Sequence, residues 1–281
     1  MTLEVLVVSM GQTDLSLSEK MHLRGNVLIA NQADFWGYEE KETQSGKVRM
    51  ITTATRGVGV NRNQALSLAE GDILLFADDD ITYYDGALEG VLDAFRELPD
   101  ADVIFFGIDM TRNGEIFDRR RNQKKHLHIY NSLKYGAARM AVRRSALKKG
   151  RLAFSTLFGG GCIYGSGEDT LFICDCFRAG LRVYSHPLVL GACAKDSSSW
   201  FTGFNEKYMF DKGAWIACAF PKSKHLMKWY FIRRFSRKSG LPLKTVIRRI
   251  NDGIRAFRHL GTFEDTTLHQ KQEENAYAEQ L

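Results

Sequence analysis

The feature that most narrows the fold is a recurrence of short, continuous apolar runs, each closed by a polar or glycine-containing break. Leu3 to Ser9 (LEVLVVS), Asn26 to Ala30 (NVLIA), Val48 to Thr53, Ile73 to Phe76 (ILLF) and Val103 to Phe106 (VIFF) are such runs. Runs of this kind, without polar alternation, suit strands covered on both faces. Helical segments lie between and after them. Asn61 to Glu70 ends at Gly71, a natural C-terminal stop. Leu88, Val91, Leu92, Phe95 and Leu98 recur at helical spacing between Asp85, in a capping position, and Pro99. A third helix is expected from Glu168 to Ala179, before Gly180. The alternation predicts an α/β chain: a Rossmann-like, mostly parallel sheet flanked by helices. With 281 residues, 44% apolar and 26% charged, the chain has material for a sizeable core and is not a disordered polymer.

Composition excludes several classes. No apolar run approaches the roughly 18 residues that span a bilayer. Met1 to Met10 lacks the basic flank and small-residue cleavage site of a signal peptide. The five cysteines are odd in number and contain no CxxC, so neither a disulfide framework nor a zinc ribbon is expected. Cys174 and Cys176 fall within the third helix and read as buried thiols. A reducing, cytoplasmic setting is the expectation. The net charge of +6 is unevenly placed: between Lys222 and His259 stand 12 Lys and Arg against one acid, Asp252. That stretch carries more than the whole net charge, so the basic balance belongs to a tail.

Three segments carry groups able to do chemistry. Asp78-Asp79-Asp80 follows the strand ILLF directly, and ligands of open α/β sheets bind at the carboxyl ends of strands. Three adjacent carboxylates repel one another, which a bound cation relieves; read alone, they are equally a solvated acidic turn. In Gly165-Ser166-Gly167-Glu168-Asp169-Thr170, Ser166 and Asp169 have capping-box spacing, and a carboxylate there could instead take a proton from a hydroxyl. Arg56-Gly57-Val58-Gly59-Val60-Asn61-Arg62-Asn63 opens a helix, offering amides and Arg62 to an anion, or simply making a tight turn. It lacks the GK[ST] ending of a phosphate loop and the third glycine of a dinucleotide fingerprint. Gly159-Gly160-Gly161 permits close backbone approach or loop motion, and is equally a plain flexible turn. The polar and aromatic stretch Asp196 to Trp215 suits either a sugar face or a core edge, and His186, before Pro187 in a strand-like run, reads as structural.

In order, VLVVS, ANQAD, RGVGVNRNQAL, LLFADDD, GSGEDTLF and KDSSSWF resemble a family 2 glycosyltransferase of the GT-A fold over roughly residues 1–220, in particular the bacterial members that build capsular and exopolysaccharides. The resemblance implies roles. Asp78 and Asp80 match the DxD motif that holds a divalent metal, Mn²⁺ or Mg²⁺, with Asp80 the direct ligand and Asp78 nearer the nucleotide ribose; Asp79 lies between them. Arg62 falls on an arginine close to the nucleotide. Asn31 and Gln32 end the second strand, where the base is usually held; this chain has NQAD in place of the common DDGS. Glu168-Asp169 matches the ED motif, whose aspartate is the catalytic base. The donor implied is a UDP-sugar, the acceptor a hydroxyl of a glycan or lipid-linked saccharide, and the reaction inverts the anomeric carbon.

The expected domains are a catalytic domain over 1–220 and a basic amphipathic helical extension over 221–281. Trp229, Tyr230 and Phe231 beside Arg233, Arg234, Arg237 and Lys238 suit an anionic membrane surface through 222–259, or a helical pair packed on the catalytic domain. No nucleic-acid motif accompanies the patch, so nucleic acid is not an expected partner. Two other readings are a sugar-phosphate nucleotidyltransferase, against which SMGQTD stands in place of a GxGxRL-type loop, and a non-catalytic membrane-associated nucleotide-sugar-binding module.

Overall fold

All five apolar runs become strands of one eleven-stranded sheet. The structure, a computed structural model, describes residues 1–120, 122–194 and 203–267. The segment KDSSSWF, the first part of the stretch from Asp196 and the polar C-terminal LHQKQEENAYAEQL lie outside the described residues. The strands are β1 Leu3–Met10, β2 Asn26–Gln32, β3 Gly37–Thr43, β4 Gly46–Thr53, β5 Ile73–Asp78, β6 Ile81–Tyr83, β7 Val103–Arg112, β8 Glu115–Arg120, β9 Lys125–His126, β10 Met140–Arg143 and β11 Val183–Ala194. The helices are α1 Leu17–Lys20, α2 Val58–Leu68, α3 Ala87–Glu97, α4 Ile129–Ser132, α5 Arg144–Gly150, α6 Glu168–Arg178, α7 Glu206–Ala219, α8 Lys224–Ser236 and α9 Leu243–Ala256.

The sheet runs β3-β4-β2-β1-β5-β10-β7-β11-β6, with β8 beside β7 and β9 beside β11. Strands β4, β2, β1 and β5 are mutually parallel, as are β7 and β11, while β10 runs antiparallel between β5 and β7. Both faces are covered, which is why the runs show no polar alternation. Val5, Val7, Ile29, Leu75 and Phe106 pack with Val91 and Phe95 of α3, and the alternate residues Leu6, Leu28, Leu74, Phe76 and Phe105 pack with Phe172, Ile173 and Cys176 of α6. Cys174 and Cys176 are buried thiols, as expected. The helix expected from Asp85 begins instead after Gly86, a left-handed N-cap (φ 76°), and no side chain caps it.

Contacts along the chain form two compact units: 1–156 with 168–194, and 157–167 with 203–267. The second unit takes in α7, which precedes the expected boundary at 220. Its reason is a backbone-close crossing of α7 and α9. A Cβ on Gly213 would lie 2.2 Å from the Ile250 carbonyl oxygen, and one on Gly253 would lie 1.9 Å from that of Phe210. Phe210, Ala214, Val246 and Ile250 are fully buried around this crossing. Tyr208 and Trp215, from the polar and aromatic stretch, turn toward this unit's helices: their rings meet Phe235 and Phe231 of α8. No helix among the described residues is long and apolar enough to cross a membrane.

Alanine at position 253 sets two effects against each other. Replacing a mid-helix glycine gains up to about 1 kcal/mol of helix propensity, but a methyl group there meets a main-chain carbonyl that cannot rotate away. Forcing the helices apart is expected to win, so Gly253→Ala lowers stability by about 1–3 kcal/mol in urea unfolding. Unchanged or raised stability would contradict the close crossing.

Candidate active site

Register brings distant residues to one edge of the sheet. Val8 pairs with Asp78, Ser9 with Asn31, Met10 with Gln32, and Asn31 with Thr52, so the carboxyl ends of β1, β2, β4 and β5 are level. Three consecutive residues in the first two turns of α2, Asn61 to Asn63, tie this edge together. Asn61 Nδ2 donates to the carbonyls of Ser9 (3.2 Å) and Ala30 (2.8 Å), stapling β1 to β2. Asn63 exchanges two bonds with the Phe154 backbone, 2.9 and 2.7 Å. Between them Arg62, only 4% exposed, spends its guanidinium on carboxylates.

Arg62 Nη1 donates to Asp169 Oδ1 at 2.6 Å and to Glu168 Oε1 at 3.2 Å, while Nη2 donates to Asp78 Oδ1 at 3.0 Å. One side chain therefore joins the end of β5 to the start of α6. Its floor is aromatic: the guanidinium carbon lies 5.2 Å from the Phe154 ring centroid. Phe154 stacks on Phe172 of α6 at 4.0 Å, and Phe76 of β5 packs edge-on against both. Phe76 stands two residues before Asp78, and Phe172 three after Asp169, so hydrophobic packing sets the spacing that the ion pairs then use. The glycines of the Arg56–Asn63 segment serve this packing. A Cβ on Gly59 would lie 2.1 Å from the Ser155 carbonyl oxygen, and Gly57 (φ 107°) is the N-cap of α2.

Electrostatics follow from three carboxylates on one guanidinium, with Asp79 and Asp80 next to Asp78 in the chain. Burial works against the charge on Arg62, but Asp169, Asp78 and Glu168 outweigh it and hold its pKa above the ordinary value. Burial raises the Asp78 carboxyl; Arg62 opposes this, and the charges of Asp169 and Asp80 add to it. Asp80 is also raised, first by desolvation and then by Asp79, against a thiol bond from Cys193 Sγ at 3.3 Å. The buried Tyr83 hydroxyl, which has no hydrogen-bond partner among the described residues, is pushed up by burial and by the charges of Asp78 and Asp80. Asp79 turns aside and accepts the Ser9 hydroxyl at 2.5 Å.

This excess of negative charge fits a divalent cation. Among the described residues no group of three His, Cys, Asp or Glu is arranged to hold a metal unaided. Asp78 and Asp80 are a two-carboxylate set, which suits a cation whose remaining ligands are phosphate oxygens and water.

Asn31 and Gln32 are engaged otherwise. Asn31, fully buried, accepts from the Gln12 amide (3.0 Å) and donates to the Gln12 carbonyl (2.8 Å) and Thr52 Oγ1 (3.0 Å). Gln32 Nε2 donates to Thr55 Oγ1 and the Gly57 carbonyl. Both anchor loops at the strand ends, and none of these bonds reaches the carboxylates. Sequence reasoning missed Ser9, Phe154 and Cys193. Ser9 closes a strand run and was within reach of a strand-end argument; Phe154 and Cys193 carry no local pattern.

Residues 37–151 match the family model described as glycosyl transferase family 2. Among solved structures it is similar to residues 1–349 of S. aureus TarS in complex with UDP-GlcNAc, with a TM-score of 0.61 and 17% identity over 92% of this chain and 82% of that one. Against the same protein in complex with UDP, the TM-score is 0.57 at 17% identity, covering 84% and 72%. At these identities the likeness speaks for the fold, the GT-A arrangement of a mixed, mostly parallel sheet flanked by helices. No curated protein matches the chain.

The raised Asp80 carboxyl has a stability consequence. Its folded pKa lies above its unfolded one, so the folded state binds the proton more tightly and the ionised form costs stability at neutral pH. Asp80→Asn is expected to raise Tm at pH 7, with the gap closing as pH falls through the folded Asp80 pKa. A lower Tm at pH 7 would contradict this charge balance.

Proposed function

We propose that the chain is an inverting, metal-dependent transferase that moves a sugar from a UDP-sugar to a hydroxyl of a glycan or lipid-linked acceptor in surface polysaccharide assembly. The observation that carries the reading is the Arg62 cluster, which sets the acidic end of β5 beside the carboxylates opening α6. A donor site and a base are the two parts that such a transfer needs within reach of one another. The solved relatives that hold UDP and UDP-GlcNAc support the choice of donor. The reading includes a cytoplasmic site of action, peripheral to a membrane that carries the acceptor.

In this reading Asp80 and Asp78 hold the cation, which when bound supplies positive charge against the leaving diphosphate. Arg62 occupies Asp169 Oδ1 and fixes the carboxylate in orientation. Asp169 Oδ2 looks toward Gly136, where a Cβ would come within 3.1 Å of it, so glycine keeps that oxygen clear. Asp169 takes the proton from the acceptor hydroxyl as that oxygen forms its bond to the anomeric carbon. The bond from that carbon to the diphosphate oxygen breaks on the opposite face, and its electron pair leaves with the nucleotide. Displacement from one face inverts the carbon without a covalent enzyme intermediate. Glu168, 12% exposed, serves as a second anchor of Arg62.

Asp169→Asn keeps an acceptor for Arg62 but removes the proton acceptor. It is expected to lower kcat by about 10²–10⁴ with UDP-sugar affinity unchanged in equilibrium dialysis. Wild-type turnover would contradict the base assignment. A wild-type protein that binds the donor but transfers nothing to any hydroxyl acceptor would favour a non-catalytic binding module.

A further inference from the structure

Helix α8 has two unlike faces. Phe231, Ile232 and Phe235 are buried; Phe231 stacks on Phe235 at 5.8 Å and meets Trp215 of α7 edge-on at 5.4 Å. On the opposite face Leu226, Trp229 and Tyr230 are 73%, 57% and 53% exposed. They are spaced by three and four, so they share one stripe, and Arg233 continues it one turn later. Lys222, His225, Arg234, Arg237 and Lys238 are exposed around them. No acidic residue occurs from Lys222 to Asn251.

The rest of the basic tail is partly spent inside this unit. On α9, Arg249 pairs with Glu206 at 2.5 Å and Arg255 with Asp252 at 2.5 Å, and Asp252 is buried. Among the described residues Arg233, Arg234, Arg237 and Lys238 form no ion pair; Arg234 donates only to the Tyr230 hydroxyl, at 3.3 Å. The uncompensated charge and the exposed aromatic side chains therefore coincide on one helix face.

We propose that this face of α8 is a docking surface for anionic lipid. Trp and Tyr place an apolar ring and a polar edge at a headgroup boundary, and arginines beside them reach lipid phosphates while their stems stay in apolar contact. A second copy of the same face would bring two sets of arginines together. A nucleic acid would match the charge but leave Leu226 in water. An anionic bilayer surface takes both the charge and the apolar stripe. The proposal deepens the transferase reading and rests on it for purpose, since a lipid-linked acceptor lies on such a surface; its test uses no turnover.

The test is co-sedimentation of the full chain with vesicles of phosphatidylcholine alone or mixed with phosphatidylglycerol. Binding is expected to the mixed vesicles only, and to fall with added salt. Each of Arg233→Gln, Arg234→Gln and Arg237→Gln should weaken it by roughly fivefold, and Trp229→Ala with Leu226→Ala by tenfold or more. No binding to the mixed vesicles, equal binding by the combined variants, or preference for a DNA duplex over the mixed vesicles would overturn the proposal. A UDP-induced thermal shift in the same variants keeps the two readings separate. Vesicle binding lost with the shift intact assigns the loss to this face rather than to unfolding. A wild type that binds vesicles but shows no shift with UDP, with or without Mn²⁺, would count against the transferase reading alone.

Discussion

Everything at the proposed site depends on one buried guanidinium. An arginine taken out of water is costly unless it is paired, and breaking such a pair from one side typically costs about 3–5 kcal/mol. Arg62 meets that condition with three carboxylates from two elements, Asp78 at the end of β5 and Glu168 and Asp169 at the start of α6. The planar fork of arginine allows this: Nη1 and Nη2 donate to different elements at once, which the single ammonium of lysine would do with less directional control. The same contacts that satisfy the arginine hold the two halves of the site in one place.

The surrounding structure makes that pairing possible by removing other freedom. Asn61 and Asn63 lock the first two turns of α2 to the strand ends and to the Phe154 backbone. Phe76, Phe154 and Phe172 pack beneath the guanidinium. The remaining imbalance, Asp79 and Asp80 without a cationic partner among the described residues, is the part of the proposed site that a cation and a diphosphate would complete. Such a site is less stable alone than with its ligands, the usual relation between an unfilled electrostatic site and its function.

The sequence was legible where physics is local. Five strands buried on both faces announce themselves as apolar runs, and α2 and α6 end at residues 68 and 178, close to the glycines that stop them. Strand β3 was missed because GYEEKET is a charged edge strand with no buried face to leave a periodic trace. Strand β11 was legible only as a strand-like run around His186 and Pro187; the register shifts around Val189 leave its full length without a regular pattern. The acidic triplet and the Glu168-Asp169 pair stand out as residue types, but their meeting through Arg62 spans 107 positions and no spacing rule encodes it. Asn31 and Gln32 were placed at the right strand end; that they hold loops there depends on Gln12, Thr52 and Gly57, which only the fold brings near. In the tail, charge was visible but its division was not: α9 spends Arg249 and Arg255 on Glu206 and Asp252, while α8 leaves its arginines facing solvent.

The central claim is that the acidic end of β5 receives a nucleotide diphosphate through a divalent cation. Its most direct test is a thermal-shift titration of UDP with and without Mn²⁺, in the wild type and in Asp80→Ala. Ligand at roughly 100 times its Kd adds about 2.7 kcal/mol of stability, well within detection. The account expects a rise in Tm with UDP that requires Mn²⁺ and disappears in Asp80→Ala. A rise of equal size without the metal, or one that survives in Asp80→Ala, would contradict it.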